Sequence, residues 1–243
     1  MPPASHVDDP TPARPGVPLP EAPRIALIHA LAHSIAPINA ALARRWPRAE
    51  RMNLLDDSLS ADLAAAAGKL DASMTARFMA LGDYAVATGA DAILFTCSAF
   101  GACIEAVAQR HAALPVLKPN EAMVDDAVAH GGPLGLIATF GPTLVSMPPE
   151  FGGRVELRTA LALRALDALN RGDTALHDQL VVEAAMQLAE AGCAALALAQ
   201  FSMARAAPAV REATGLTVLT TVESAVQRLQ RRLGVAAAAG RSE

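Results

Sequence analysis

Apolar residues along this chain fall into two alternating patterns. Short, nearly continuous apolar runs occur at 24–30 (RIALIHA), 51–55, 92–96 (AILFT), 116–117, 134–139 (LGLIAT), 155–159, 196–199 and 218–219, and these read as buried strands. Between them, apolar side chains recur at helical spacing, as at 74–87, 104–111, 122–129, 174–191 and 223–233. The alternation predicts parallel sheets joined by right-handed crossovers, with four strands in each half of the chain. In such sheets ligands gather at the carboxyl ends of the strands, where helix N-termini and short loops meet.

The pattern is itself duplicated. GADAILFTCSAFGACIEAV (89–107) followed by PVLKPNEAM matches GCAALALAQFSMARAAPAV (192–210) followed by TVLTTVESA. Without gaps, Gly89 falls on Gly192, Cys97 on Gln200 and Ala106 on Ala209; the second copy is then one residue shorter, which brings Glu121 onto Glu223. Residues 134–142 likewise match the run from 24 onward as the first strand of a repeat. The expected fold class is therefore α/β, with two pseudo-symmetric domains, each a four-stranded parallel sheet flanked by helices. The halves differ at one informative place: the first ends its strand in a cysteine and the second in a glutamine.

Composition narrows the function. The 243 residues suffice for one large domain or two of about 100 residues each. Hydrophobic residues make up 53% of the chain but aromatic residues only 3%, so the core is built from Ala, Leu, Val and Ile. One Tyr, one Trp and a formal charge of −4 supply neither the basic surface nor the stacking groups of a nucleic-acid partner. Three cysteines, an odd count, do not form a disulfide framework, and a cytoplasmic location is expected. The first 24 residues hold eight of the 17 prolines and no apolar run. They form neither a signal peptide nor a membrane span, and residues 1–22 are expected to be a disordered tail. Residues 234–243 read as a fraying helix end.

Candidate chemistry lies at the strand ends. Cys97, in FTCSAFG, stands where a buried strand gives way to a helix opened by Gly101; a helix N-terminus stabilises a thiolate, which suits a proton-transferring or nucleophilic cysteine. The alternative is a space-filling cysteine, the role read for Cys103 and Cys193. At the matching position Gln200, Phe201 and Ser202 supply an amide, an aromatic ring and a hydroxyl. Gln200 can orient a substrate but cannot carry a proton; alternatively it is a buried amide bracing the halves. Ser98 and Thr139 add hydroxyls suited to a carboxylate or enolate oxygen, Thr139 alternatively capping a helix. Glu121 and Glu223 read as first-turn helix residues. His29 and His33 have no evident third partner, so no metal site is expected. There is no G-x-G-x-x-G, no P-loop, and no nucleophile elbow around Ser98.

Two repeated α/β halves, with TCSAFG (96–101) closing a strand of the first, the strand end at Thr139 and the unit VLKPNEAM (116–123), resemble the aspartate/glutamate racemase superfamily. That group includes hydantoin racemase, maleate isomerase and arylmalonate decarboxylase. The resemblance spans 23–233 and implies an active-site cleft between two domains, 23–121 plus 222–243 and 122–221, the last helix crossing back to the first. It implies no cofactor, a small carboxylic-acid substrate, and a homodimer. No membrane partner is expected. Racemases of the group offer one cysteine from each half, whereas this chain matches only the first, at Cys97. With Gln200 opposite, one face of a planar carbanion lacks a proton carrier. The chemistry expected is that of a single thiol: protonating an enolate after loss of a carboxylate, or adding to an unsaturated acid to permit isomerisation. The group's decarboxylase also uses one cysteine, but from its second half. The rival is a catalytically inactive carboxylate-binding protein on the same fold; a depressed thiol pKa is expected of the enzyme and an inert thiol of the binder.

Overall fold

The computed structural model describes residues 21–234; the proline-rich segment up to residue 20 and the last nine residues, both assigned above to tails, lie outside the described residues. In chain order the elements are β1 Arg24–His29, α1 Ile35–Arg45, β2 Glu50–Leu55, α2 Ser58–Ala65, α3 Ala72–Ala87, β3 Ala92–Phe95, α4 Gly101–Arg110, β4 Val116–Leu117 and α5 Glu121–His130. There follow β5 Leu134–Ala138, α6 Thr143–Ser146, β6 Leu157–Leu161, α7 Ala165–Asn170, α8 Thr174–Glu190, β7 Ala195–Leu198, α9 Ala207–Thr214, β8 Thr217–Thr220 and α10 Thr221–Arg232.

The eight strands form two four-stranded sheets in the orders β2-β1-β3-β4 and β6-β5-β7-β8, all pairs parallel. The same order in both sheets is the duplication made visible. β1 pairs with β3 through Ile25 opposite Ala92, and β5 with β7 through Leu134 opposite Ala195. The ladder thus equates Ile25 with Leu134, one residue away from the alignment suggested by the sequence, and places Thr139 at the position of Ala30.

Period-two alternation sends side chains of the central strands to two cores. From the first sheet Ala26, Ile28, Ile93 and Phe95 face α2, α3 and α4, including Leu63, Phe78 and Ile104. Ile25, Leu27 and Leu94 face α1 and α10, through Ile38, Leu42, Val226 and Leu229. In the second sheet Ile137, Leu196 and Leu198 pack on α7, α8 and α9, while Leu134, Leu136 and Ala197 pack on Met123, Val124 and Ala127 of α5. The helix following each fourth strand therefore leaves its own sheet for the other one. α5 and α10 meet where they cross, tied by the Ser224 hydroxyl donating to the Asp126 carboxylate at 2.5 Å. Each buried Leu, Ile or Val side chain adds roughly 1.5–3 kcal/mol to this association.

Strand β6 corrects one sequence expectation: it runs two residues later than 155–159. Its pattern is that of a half-exposed edge strand, whose apolar residues do not mark its limits, and Val155 packs instead against the core near Phe151. Among the described residues no helix is long and apolar enough to cross a membrane.

Candidate active site

The two matching positions sit at the carboxyl ends of β3 and β7. Beyond each strand one further backbone bond prolongs the ladder, Thr96 N–H to the Ile28 carbonyl at 3.0 Å and Ala199 N–H to the Ile137 carbonyl at 2.9 Å. The next residue is extended in both halves: Cys97 at φ −120°, ψ 121° and Gln200 at φ −133°, ψ 146°. Each then enters a 3₁₀ turn, Ser98–Phe100 or Phe201–Ala206, before an α-helix begins. Duplicated local geometry thus presents a thiol from one half and an amide from the other.

They line one cavity. Its walls are Leu31, Ser34, Ser60, Thr96, Cys97 and Ser98 from the first half and Phe140, Leu166, Gln200 and Ser202 from the second, and its volume is about 20 Å³. That accommodates roughly one water molecule. The His33 ring (Nε2) meets the Asn170 side-chain oxygen at 3.0 Å, joining β1's exit loop to α7.

Gln200 is held in one orientation. Its Oε1 accepts from the Thr139 N–H at 2.6 Å and from the Thr139 hydroxyl at 3.0 Å. With the carbonyl oxygen occupied, the amide NH₂ remains to donate. Thr139, expected to contact substrate, spends both donors on this glutamine and does not line the cavity. Phe201 requires a firmer correction: it is 0% exposed and packs with the core of the first sheet, because the 3₁₀ turn carries the next side chain away from the cleft. Ser98 lines the cavity, and its hydroxyl donates to the Thr143 oxygen at 3.3 Å, tying the Cys97 loop to the single-turn α6. Ser202 also lines it, 2% exposed, with no hydrogen-bond partner for its hydroxyl.

The thiol itself departs from expectation. Burial pushes Cys97 up to about 11, and the Ala99 N–H and the Ser60 hydroxyl, which favour the thiolate, offset this only in part. A depressed pKa was expected from a helix N-terminus, but a 3₁₀ turn stands between Cys97 and α4, and no cationic side chain lines the cavity. At rest Cys97 is a thiol. Cys103 and Cys193 are also raised by burial; at 0% and 5% exposure they are core residues, as their sequence positions suggested.

The sequence reading missed the support behind the thiol. His29, considered above only as a metal ligand, ends β1 and is 0% exposed. Its Nε2 faces Asn53 Oδ1 at 3.0 Å, and its Nδ1 faces the Thr96 hydroxyl at 2.9 Å. Asn53 Oδ1 also receives Asn39 Nδ2 at 2.8 Å, so it acts as an acceptor, the proton sits on Nε2, and Thr96 donates to Nδ1. Desolvation lowers the His29 pKa, which keeps this neutral tautomer at neutral pH. The chain fixes the residue preceding Cys97. No three His, Cys, Asp or Glu side chains gather as a metal site among the described residues.

Residues 32–229 match the family model described as Asp/Glu/Hydantoin racemase. Among solved structures, the chain is similar to a glutamate racemase from Francisella tularensis in complex with D-glutamate, at 14% identity and a TM-score of 0.70, covering 92% of this chain and 85% of the other. It is also similar to an allantoin racemase from Klebsiella pneumoniae, at 18% identity and a TM-score of 0.65, covering 89% and 91%. A Picrophilus torridus aspartate racemase gives 12% identity and a TM-score of 0.64, covering 88% and 95%. At these identities the likeness establishes the fold. No curated protein matches the chain in sequence.

Proposed function

The chain belongs to the Asp/Glu/hydantoin racemase family, and from that premise we propose that it is a cofactor-independent enzyme that moves a proton at the α-carbon of a small carboxylic acid from one face only. The carrying observation is the pairing across the cleft of a protonated thiol with an amide fixed as a donor. Cys97 supplies the proton. Gln200 Nε2, with the Ser202 hydroxyl, would hold the carboxylate or enolate oxygens, while Ser98 ties the Cys97 loop to α6 and Thr139 positions Gln200 rather than touching the substrate.

A thiol near 11 is not the depressed thiol expected above of the enzyme; it disfavours nucleophilic addition and leaves proton donation as the role open to Cys97. With that value only about one Cys97 in 10⁴ is a thiolate at pH 7, whereas the thiol is ready to protonate an enolate. In a decarboxylation-type cycle the bond from the α-carbon to one carboxylate breaks, CO₂ leaves, and the electron pair stays on the enolate. The S–H proton then passes to carbon, and the thiolate recovers a proton from water. Donors aimed at the enolate oxygen lower this barrier, each worth about 10²–10³ in rate. Where the same thiol takes and returns a proton on one face, the α-hydrogen exchanges with solvent and the configuration is kept, so a single carrier supports exchange but not inversion.

Cys97→Ser tests the assignment. The hydroxyl packs where the thiol did but is too weakly acidic to exchange protons, so turnover over a panel of amino, hydroxy, aryl-malonic and unsaturated acids should vanish with the melting temperature nearly unchanged. Wild type that binds an acid without turnover, and a Cys97→Ser variant that binds it equally well, would make the chain a carboxylate-binding protein instead.

A further inference from the structure

A second cavity, of about 740 Å³, lies beside the first. It runs between α1 of the first half and the α7, 3₁₀ and α9 segments of the second, and its size is that of sites that take small organic ligands. The cavity at Cys97 and Gln200 has room for one water; this one could enclose most of a substituent. One residue belongs to both walls: Ser202. Its hydroxyl is 98% buried by the 2% exposure above and unpartnered. A buried hydroxyl left without a partner loses about 1–3 kcal/mol, so a ligand spanning the two cavities would supply what the protein does not.

The walls state the chemistry. Ala32, Ala36, Pro37, Ala40, Leu169 and Pro208 make most of the surface apolar. Three arginines reach it, two of them in ion pairs, Arg44 sharing its Glu223 partner with Arg45, and the third on a neutral carbonyl. Arg44 pairs with Glu223, Arg205 with Asp178 at 3.0 Å, and Arg211 donates to the Val218 carbonyl at 3.2 Å. These apolar walls suit an uncharged substituent.

Resting on the function proposed above, we infer that this groove binds the α-substituent of the substrate, and that the substituent is apolar, of propyl to phenyl size, with the acid group held at Gln200 and Ser202. This separates the chain's substrate class from the dicarboxylic amino acids named for several of its structural neighbours.

The test is equilibrium binding to the full chain of α-amino acids and malonic acids bearing methyl, propyl, phenyl or carboxyethyl substituents. Each methylene moved into the groove should tighten binding about fourfold, so propyl acids should bind about tenfold or more tighter than methyl acids, and carboxyethyl acids no tighter than methyl. Ala36→Phe fills the groove from an exposed position on α1, and should collapse the propyl-to-methyl affinity ratio towards one. Ala40→Phe, one turn further along, serves if the first variant unfolds. Equal affinities for methyl and propyl acids, tightest binding of the carboxyethyl acids, or a ratio unmoved in folded variants would overturn the groove assignment while leaving Cys97 chemistry intact. If no acid binds, the carboxylic-acid reading itself falls, and the groove assignment with it.

Discussion

The two halves share strand order, register and backbone conformation at the residue that matters, yet one presents Cys97 and the other Gln200. In the first half the strand end carries a titratable group backed by a buried His29–Thr96 pair. In the second, the equivalent residue cannot titrate and is clamped by Thr139. Pseudo-symmetry of the backbone has thus been kept while symmetry of the chemistry has been lost. The comparison teaches that a duplicated scaffold can support unequal roles, proton carrier on one side and fixed dipole on the other.

After the loss of turnover expected of Cys97→Ser, the largest effect comes from breaking the fixed side. Gln200→Ala removes the aimed donor and should lower kcat by about 10²–10³, with binding of the acid weakened less. Thr139→Val keeps the backbone donor but frees the amide to rotate, so about a tenfold loss is expected, seen in kcat more than in KM. Equal losses for the two variants would mean that Thr139 touches the substrate itself. Steady-state kinetics on any acid turned over by wild type checks both.

A structural asymmetry comes next. Ala26 in β1 corresponds to Gly135 in β5 by the strand register. A Cβ at Gly135 would lie 2.7 Å from Leu196 Cδ2 and 3.0 Å from Leu188 Cβ. Gly135→Ala should therefore cost about 1–3 kcal/mol by overpacking, measured by denaturant unfolding. A neutral result would show that the second core is looser than the first.

The smallest effect is one of pH. The folded-state pKa of Cys97 is raised to about 11 from an ordinary 9.0, so between those values the folded state holds a proton that the unfolded chain has released. Its contribution is present below pH 9 and is lost as pH rises towards 11, by no more than about 2 kcal/mol for a partly exposed group. Cys97→Ser should lose less stability than wild type over that window. Parallel declines would indicate that the thiol is not buried as described.

Much of this was legible in the residues. Alternating apolar runs gave eight strands because fully buried parallel strands leave little ambiguity, and the duplicated block equates Cys97 with Gln200. Three things were hidden. The Gln200–Thr139 clamp joins residues 61 apart in sequence, and the His29–Thr96 pair residues 67 apart; neither leaves a local pattern. Phe201 looked like a site residue because it follows Gln200, but the direction of the 3₁₀ turn decides where it points. The thiol's raised pKa depends on how tightly the two halves close, which spacing does not encode.

The central claim is one-faced proton transfer, and the stereochemistry of exchange tests it most directly. A single enantiomer of an acid that wild type turns over is incubated in D₂O, and α-deuterium incorporation and enantiomeric composition are followed together by NMR and chiral chromatography; a prochiral malonic acid reports instead through the enantiomeric purity of its deuterated product. The account predicts deuterium delivered with one stereochemical sense, without inversion, and none with Cys97→Ser. Gln200→Cys should add inversion by restoring a carrier on the opposite face. Inversion by wild type at the rate of exchange would require a second proton carrier facing Cys97, and would contradict the account.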